Sequence, residues 1–385
     1  MTEATDGGAG RGLRIERVEL RRLRLPLVSP FRTSFGTSTE RDVLLVRVDT
    51  DAATGWGECV ADSEPTYSPE YADGAQQVIR EHLLPRVAAA QGRGAPLTAD
   101  RLGPVLESVK GHPMAKAALE AAVLDAELRA AGLSFADHLG AVSDRVPAGV
   151  SVGIHPSVPE LLEAVEGYLA EGYLRIKLKI EPGWDVEPVR AVRERFGDGV
   201  LLQVDANTAY RLADARHLAR LDEFGLLLIE QPLPEDDVRG HAALARQLRT
   251  PVCLDESIVS ARAAADAIAV GACSVVNIKA GRVGGYLEAR SVHDVCAANG
   301  IPVWCGGMLE TGIGRAANVA LAALPGFVLP GDTSASRRYY ETDLTEPFEL
   351  EDGHLRVPAS PGVGREPLPD ALAEFTASVE EVRMP

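Results

Sequence analysis

Charged residues recur at a nearly constant interval through the middle of this 385-residue sequence. From the second lysine onward the steps are 26, 25, 25 and 24 residues, and the set is Lys177, Lys179, Asp205, Glu230, Asp255 and Lys279. Three carboxylates in one register offer hard oxygen ligands, which suit Mg²⁺ and also Mn²⁺ or Co²⁺. Zinc is disfavoured because the triplet contains no His or Cys. The pattern therefore predicts a divalent-metal site.

Lysines flank the three acids in the same register. In the segment RIKLKI, residues 175–180, Lys177 and Lys179 share one face of a predicted strand, and three apolar side chains share the other. Desolvation, a nearby dication and a second ammonium group each lower the pKa of a lysine. Such an amine can remove a proton from carbon near pH 7. We expect Lys179 and Lys279 to act as acid and base. Lys177 would lower the pKa of Lys179 or pair with a substrate carboxylate.

Short β-branched runs precede these charged residues and alternate with helical patterns such as 186–197 and 261–271. Eight runs within residues 146–349 predict parallel β/α units, and their regular spacing favours a closed TIM-type barrel. A doubly wound sheet would usually show a G-x-G-x-x-G loop after an early strand, which this sequence lacks there. Functional groups of such barrels lie at the carboxyl ends of the strands. The predicted strands are 148–154, 174–180, 200–206, 226–232, 250–256, 274–280, 301–307 and 327–333.

The residues on either side of the barrel follow other patterns. Strands followed by helices predict an α+β domain over residues 13–145. Residues 350–385 lack the β/α pattern and are expected to pack back on that domain. Residues 1–12 are small, polar and Gly-rich, and they are expected to form a disordered leader rather than a signal peptide. The predicted N-terminal elements are strands over 13–27, 42–50 and 55–60 and a long helix over 113–132.

The bulk composition restricts the partners. A net charge of −17 argues against nucleic acid and anionic membranes, although a locally cationic site can still bind a small carboxylate substrate. No apolar run approaches the ~20 residues of a membrane span. The five cysteines are odd in number and include no C-x-x-C pair. We therefore expect reduced thiols in a cytoplasmic protein.

The motifs at the strand ends resemble those of the enolase superfamily, and more closely its muconate-lactonising subgroup. They are K-x-K (177–179), VDAN (204–207), IEQP (229–232), LDES (254–257) and NIK (277–279). Longer strings resemble one branch, the N-acylamino acid or N-succinylamino acid racemases, many of which are also o-succinylbenzoate synthases. These strings include RIKLKIEPGWD (175–185), GRVGGYLEAR (281–290) and PGDTSAS (330–336). The resemblance runs from about residue 14 to the end of the chain.

The resemblance implies a modified TIM barrel, (β/α)₇β, with an N-terminal α+β capping domain completed by the C-terminal tail. It implies Mg²⁺ held by Asp205, Glu230 and Asp255, with Lys179 and Lys279 as the acid/base residues. The loop 30–40 would close over the site. A homo-oligomer, and an octamer in particular, is also implied. The implied substrate contacts are Ser151, Lys177, Asn207, Gly307, Met308, Phe35 and Tyr71, with Tyr67 on the same side as Tyr71.

The implied chemistry is removal of a proton alpha to a carboxylate, through an enediolate. This step serves two reactions: racemisation of N-acyl amino acids, and dehydration to o-succinylbenzoate in menaquinone biosynthesis. Another activity of the subgroup, dipeptide epimerisation or cycloisomerisation, is an alternative. A Schiff-base lyase would not need three carboxylates in register. A non-catalytic barrel would tolerate loss of one of these residues, yet the sequence retains all of them.

Overall fold

The computed structural model of the protein describes residues 12–94 and 97–385. The leader predicted over residues 1–12 therefore lies outside the described residues, apart from Gly12. Within the described ranges, the structure contains no helix that is both long and apolar enough to span a membrane.

The N-terminal domain begins with the predicted antiparallel meander of β1 (Ile15–Thr33), β2 (Gly36–Thr50) and β3 (Thr54–Cys59). The pairing of β1 with β2 extends to Thr33 opposite Gly36, so the two strands form a long hairpin. Apolar side chains that alternate along both strands are buried against the helices that follow. The hairpin tip contains the segment 30–40 that was expected to close over the site.

Helices cover one face of this sheet. The predicted helix over 113–132 forms α4 and ends at Gly132, whose φ of 69° suits a left-handed helix C-terminus. It packs unusually close to β3, because an added Cβ at Gly57 would lie 2.0 Å from the Ala118 carbonyl oxygen. The elements are α1 (Ala72–Val78), a π-helical turn (Ile79–Leu83), α2 (Leu84–Gly92), α3 (Ala99–Leu106), α4 (Pro113–Ala131) and α5 (Phe135–Leu139).

A parallel sheet of seven strands, in sequential order, forms the second domain within the described residues. The predicted eighth strand, 327–333, makes only single bridges, from Phe327 to Val303 and from Gly331 to Ala148. Pro330 lacks the amide hydrogen that a regular ladder needs. These bridges still connect the last strand of the sheet to the first and close the barrel. The strands are β4 (Arg145–Pro147), which precedes the sheet, and then β5 (Gly149–Val152), β6 (Arg175–Lys179), β7 (Leu201–Asp205), β8 (Ile229–Glu230), β9 (Val252–Leu254), β10 (Val275–Ile278) and β11 (Val303–Cys305).

The barrel helices begin at polar caps and cover the outside of the sheet. Ser157 and Ser260 each accept a hydrogen bond from a backbone amide in the first turn of the following helix. The helices are α6 (Val158–Ala170), α7 (Val186–Phe196), α8 (Ala215–Leu218), α9 (Val238–Ala245), α10 (Ala261–Ala269), α11 (Ala280–Val283), α12 (Tyr286–Ala298) and α13 (Gly312–Ala322), with 3₁₀ turns at Leu212–Asp214, Ala219–Phe224 and Ser336–Arg338. The predicted modified TIM barrel is therefore confirmed.

The C-terminal tail returns to the N-terminal domain. Its first strand, β12 (His354–Arg356), pairs with β4. After α14 (Pro369–Phe375), the strand β13 (Thr376–Arg383) pairs antiparallel with β1. The sheet order β13-β1-β2-β3 shows that the tail supplies the fourth strand of the capping domain, as expected.

The close approach of α4 to β3 gives a stability prediction. Gly57→Ala forces a methyl group into the Ala118 carbonyl, so the free energy of unfolding should fall by about 1–3 kcal/mol. Gly167→Ala is the control, because this exposed position in α6 has open space and alanine favours a helix. Urea unfolding of both variants checks the prediction. Equal stability of the Gly57 variant and the wild type would contradict it.

Candidate active site

The carboxyl ends of adjacent barrel strands bring the predicted charged residues together. Lys179 on β6 lies opposite Asp205 on β7, and Asp205 lies opposite Glu230 on β8. Asp255 directly follows β9, and Lys279 directly follows β10. The three carboxylates are at most 1% exposed. Ionised groups this deeply buried need partners of opposite charge, and the lysines supply them.

Lys177 lies among three carboxylates. Its Nζ is 3.2 Å from Asp205 Oδ2, 3.1 Å from Glu230 Oε2 and 2.6 Å from Asp332 Oδ2. The ammonium group also lies 4.8 Å from the ring centre of Trp304. Burial alone would lower the pKa of Lys177, but the charges of Asp332, Glu230 and Asp205 raise it above its usual range. These charges favour the ammonium form of Lys177, and its shortest ion pair in this structure is with Asp332.

Lys179 is held by two side chains at the end of β7. Its Nζ donates to Asp205 Oδ2 at 2.6 Å and to Asn207 Oδ1 at 2.7 Å. Asn207 in turn donates through Nδ2 to Glu256 at 3.0 Å, and its backbone amide donates to Asp205 Oδ1 at 3.0 Å. Its φ is 40°, a conformation that asparagine tolerates better than most residues. Asn207 therefore orients both Lys179 and the carboxylate beside it.

Lys279 is held from both domains. Its Nζ donates to Asp255 Oδ2 at 2.8 Å and to the Tyr67 hydroxyl at 3.1 Å, and it lies 4.6 Å from the centre of the Tyr67 ring. Arg282 pairs with the other oxygen of Asp255. Burial lowers the pKa of Lys279, but Tyr67, Glu256 and the nearby carboxylates raise it above its usual range. These groups favour the protonated amine. The predicted fall in the pKa of this lysine depends on a bound dication and stays a prediction.

A cavity of about 370 Å³ opens between the barrel mouth and the capping domain. The barrel side presents the two predicted acid/base lysines, Ser151 and the Gly307–Met308 segment, and the capping side presents Phe35 and Tyr67. The Ser151 hydroxyl is buried and has no hydrogen-bond partner among the described residues, so it is available to a ligand. Asn207 and Lys177 also line the cavity.

Tyr71 is the predicted contact residue that the structure leaves outside the cavity. It stands at the N-terminus of α1 and is 40% exposed. Its ring lies beside Gly74, where an added Cβ would be 3.0 Å from the ring. Tyr67, four residues earlier, forms part of the cavity wall instead.

The side chains predicted to bind a metal have the ligand atoms that a divalent cation prefers. Asp205, Glu230 and Asp255 offer buried carboxylate oxygens from adjacent strands, which is the ligand type that hard cations prefer. As they stand, no three His, Cys, Asp or Glu side chains in residues 12–94 and 97–385 are grouped closely enough to hold a metal. Each predicted ligand is instead paired with a lysine or arginine, such as Lys177 or Arg282. A bound cation would therefore share these carboxylates with the lysine and arginine side chains that pair with them here.

The hairpin tip closes one side of the cavity. Arg32 Nη2 lies 2.9 Å from Glu181 Oε1, and Ser34 Oγ donates to the Asn207 carbonyl at 3.2 Å. The Ile154 amide donates to the Arg32 carbonyl at 3.0 Å. An added Cβ at Gly153 would lie 2.9 Å from that carbonyl, so the barrel backbone must lack a side chain where it contacts the tip. The hairpin tip therefore contacts the segments that directly follow β5, β6 and β7, next to Lys179 and at Asn207.

Sequence reasoning missed two charged residues of the site. Arg282 follows Lys279 by three residues, about one helical turn, and this spacing could have suggested that it reaches Asp255. Asp332 lies 53 residues after Lys279, two repeat units on, at the end of the predicted eighth strand. The register that identified the other acids could therefore have identified Asp332.

Comparisons with known proteins agree with this architecture. Residues 160–371 match the family described as enolase C-terminal domain-like. Residues 17–140 match the N-terminal domain of the mandelate racemase / muconate lactonizing enzyme family. The chain therefore belongs to this family of the enolase superfamily, whose enzymes depend on a divalent metal ion.

Similar proteins span nearly the whole chain. It is 67% identical over 366 residues to an N-succinylamino acid racemase of an Amycolatopsis species, covering 95% of this chain and 98% of that protein. It is 48% identical over 354 residues to an o-succinylbenzoate synthase of Geobacillus kaustophilus, covering 91% and 93%. A crystal structure of an enolase superfamily member from Listeria innocua Clip11262 superposes with a TM-score of 0.92 at 39% identity, covering 97% of this chain and 100% of that one.

The attachment of the hairpin tip can be tested without an activity assay. In Gly153→Ala, the new methyl group collides with the Arg32 carbonyl and should favour a detached tip by about 1–2 kcal/mol. Trypsin cleavage within residues 30–40 should then be roughly 5–30 times faster, as measured by mass spectrometry. The control is Gly199→Ala, at an exposed position with open space around it. Unchanged cleavage of the Gly153 variant would show that the tip is not held there.

Proposed function

We propose that this enzyme racemises N-acyl amino acids, foremost N-succinylamino acids, by removing and returning the proton alpha to the carboxylate. The observation that carries the proposal is the placement of Lys179 and Lys279. The first lies on β6 and the second follows β10, and the three strands between them present the acids. An acid/base group on each side of a bound substrate is what racemisation through a planar intermediate needs. The 67% identity to an N-succinylamino acid racemase supports the choice of substrate.

Each lysine has a partner that can orient it for proton transfer. Asn207 and Asp205 hold Lys179, while Tyr67 and Asp255 hold Lys279. One lysine takes the alpha proton from one face and the other delivers a proton to the opposite face. Tyr67 and the nearby carboxylates raise the pKa of Lys279, and a bound cation that offset the carboxylate charge would favour its action as a base.

The metal belongs to the same proposal. Asp205, Glu230 and Asp255 would hold Mg²⁺, with Mn²⁺ or Co²⁺ able to replace it. When bound, the ion would supply positive charge to stabilise the negative charge that develops on the substrate carboxylate. Lys177 adds an ammonium group to the same region. Ser151 has a free hydroxyl to offer a substrate polar group.

Dehydration to o-succinylbenzoate is the second candidate reaction. It is favoured by the 48% identity to an o-succinylbenzoate synthase. In this reaction Lys179 removes the proton, hydroxide leaves, and Lys279 contributes only charge. Dipeptide epimerisation and cycloisomerisation use the same proton removal and remain alternatives. Turnover of dipeptides or muconate in preference to N-succinylamino acids would favour them.

Two further properties extend the proposal. The five cysteines are all buried and free, which favours a reducing compartment such as the cytoplasm. The resemblance to the racemase branch favours a homo-oligomer, with an octamer as the specific expectation. Analytical ultracentrifugation measures the assembly directly.

The metal assignment predicts loss of activity on chelation. EDTA should abolish racemisation and Mg²⁺, Mn²⁺ or Co²⁺ should restore it. The variants Asp205→Asn, Glu230→Gln and Asp255→Asn should each lose at least ~100-fold in kcat/KM. Calorimetric titration should show weakened Mg²⁺ binding in each, and circular dichroism should show that each is folded. Asp266→Asn, an exposed change on α10, is the control. Full activity in a metal-stripped preparation would refute the assignment.

The two lysines should be separable by reaction. Lys179→Ala and Lys279→Ala should both abolish racemisation, because each face needs its own acid/base group. Either variant should still exchange the alpha proton of one enantiomer with deuterium through its surviving lysine. Lys279→Arg should retain some synthase activity, since a fixed cation can still supply charge.

Proton NMR in D₂O with both enantiomers of N-succinylphenylalanine measures racemisation and exchange together. Lys110→Ala, at an exposed position, is the control. If Lys279→Ala racemises as fast as the wild type, the two-lysine mechanism is wrong. If Lys179→Ala keeps synthase activity, the assignment of the first proton transfer is wrong.

A further inference from the structure

The turn that presents Gly307 and Met308 to the cavity needs stabilisation by side-chain contacts. Both residues line the cavity, but the next residue, Leu309, has a φ of 58°. Leucine rarely adopts this left-handed conformation, so side-chain contacts must stabilise the turn. The Met308 amide donates to Glu310 Oε2 at 2.9 Å. A side chain two residues along the chain therefore holds the turn from behind.

Glu310 is itself fixed by a chain of hydrogen bonds from two helices. Its second oxygen, Oε1, accepts from Asn318 Nδ2 on α13 at 2.9 Å. Asn318 Oδ1 accepts from the Tyr286 hydroxyl on α12 at 2.9 Å, so the amide group is oriented with its nitrogen toward Glu310. Glu310 is only 7% exposed. Each carboxylate oxygen thus meets one donor, and a carboxylate can only accept.

The capping domain supports the same region. Glu58 on β3 accepts hydrogen bonds from the Thr311 and Gly314 amides at 3.0 Å each, at the start of α13. An added Cβ at Gly314 would lie 2.8 Å from Glu310 Cγ and 3.0 Å from Glu58 Oε2, so glycine leaves room for both carboxyl groups. Burial raises the pKa of Glu58 to about 7, the Thr311 hydroxyl opposes this, and the charge of Glu310 adds to the rise.

We propose that Glu310 is a positioning residue, which fixes the Gly307–Met308 turn through the Met308 amide and is itself aligned by Asn318. The role rests on the proposed function, because the turn is a wall of the proposed substrate cavity. Glu310 exchanges no proton with substrate in this role. Its contribution is geometric, and a displaced wall weakens substrate binding.

A swap of polar groups between the two positions tests the pairing. Glu310→Gln leaves one acceptor oxygen for two donors, so either Met308 or Asn318 loses its partner. We expect kcat/KM to fall about 10- to 100-fold, chiefly through KM. Asn318→Asp alone places two carboxylates against each other. In the double variant Glu310→Gln/Asn318→Asp, the amide at 310 donates to the new carboxylate at 318, and net charge is unchanged.

The double variant should therefore recover most of the lost kcat/KM, whereas the exposed change Glu341→Gln should have no effect. Hydrogen–deuterium exchange of the peptide spanning residues 304–311 gives a measurement that needs no substrate. Exchange should be faster in Glu310→Gln and return to the wild-type rate in the double variant. The proposal is overturned if Glu310→Gln has the wild-type KM and the wild-type exchange rate. It is also overturned if the double variant has kcat/KM as low, or exchange as fast, as Glu310→Gln.

The two hypotheses fail in different ways. If the wild type turns over no N-succinylamino acid, the proposed function is wrong. The exchange rates of the three variants then decide the role of Glu310 by themselves. If the wild type is active and only the exchange and KM of Glu310→Gln are unchanged, the proposed function stands and the positioning role is wrong.

Discussion

The structure depends on a balance of buried charge at the barrel mouth. Removing an ion from water costs several kcal/mol even after relaxation, so a buried carboxylate is stable only beside a cation or strong donors. The Lys177 ammonium group lies close to three carboxylates, those of Asp205, Glu230 and Asp332. Lys179 and Lys279 each pair with one acid. Neither the acids nor the lysines could be buried without the other set. The charges that suit the site for catalysis are thus also the charges that allow one another to be buried.

This balance places demands on the barrel beneath it. Arg175 lies two residues before Lys177 on the same face of β6. It is fully buried and pairs with Asp332 at 2.9 Å. Its guanidinium and the Lys177 ammonium both lie against the ring of Trp304, at 5.2 and 4.8 Å from its centre. An added Cβ at Gly149 would lie 2.3 Å from the Arg175 guanidinium carbon, so the neighbouring strand β5 must lack a side chain at this position. Below Lys177, the barrel interior therefore contains a buried arginine that lies against Trp304.

The capping domain completes what the barrel cannot build alone. The barrel contributes the charges, and the cap contributes Tyr67 against Lys279 and the hairpin tip against Asn207. Glu58 continues the cap–barrel contact to the start of α13. Because these contacts reach residues that hold the lysines or line the cavity, the position of the cap affects the geometry of the site. A fold with two domains can in this way vary the cavity wall while the charged centre stays the same.

The sequence by itself determined the barrel, the charged register and the order of the domains. Strand side chains alternate with a period of two and each β/α unit has nearly the same length, so Asp205, Glu230 and Asp255 could be placed at one end of adjacent strands from local pattern alone. The helix over 113–132 and the strands of the capping meander followed from the same kind of periodicity. These features depend on residues close together in the chain, where spacing limits geometry.

Only the tertiary structure decided the contacts between distant segments. It placed Tyr67 rather than Tyr71 in the cavity wall. It reduced the eighth strand to single bridges. It also placed Asp332 beside Lys177 and Arg282 beside Asp255. It also surrounded Lys279 with Tyr67 and with acids that the sequence leaves far apart, and these groups raise its pKa. Each of these outcomes is set by side-chain direction and by the sum of nearby charges, which depend on how separate segments pack and not on local spacing.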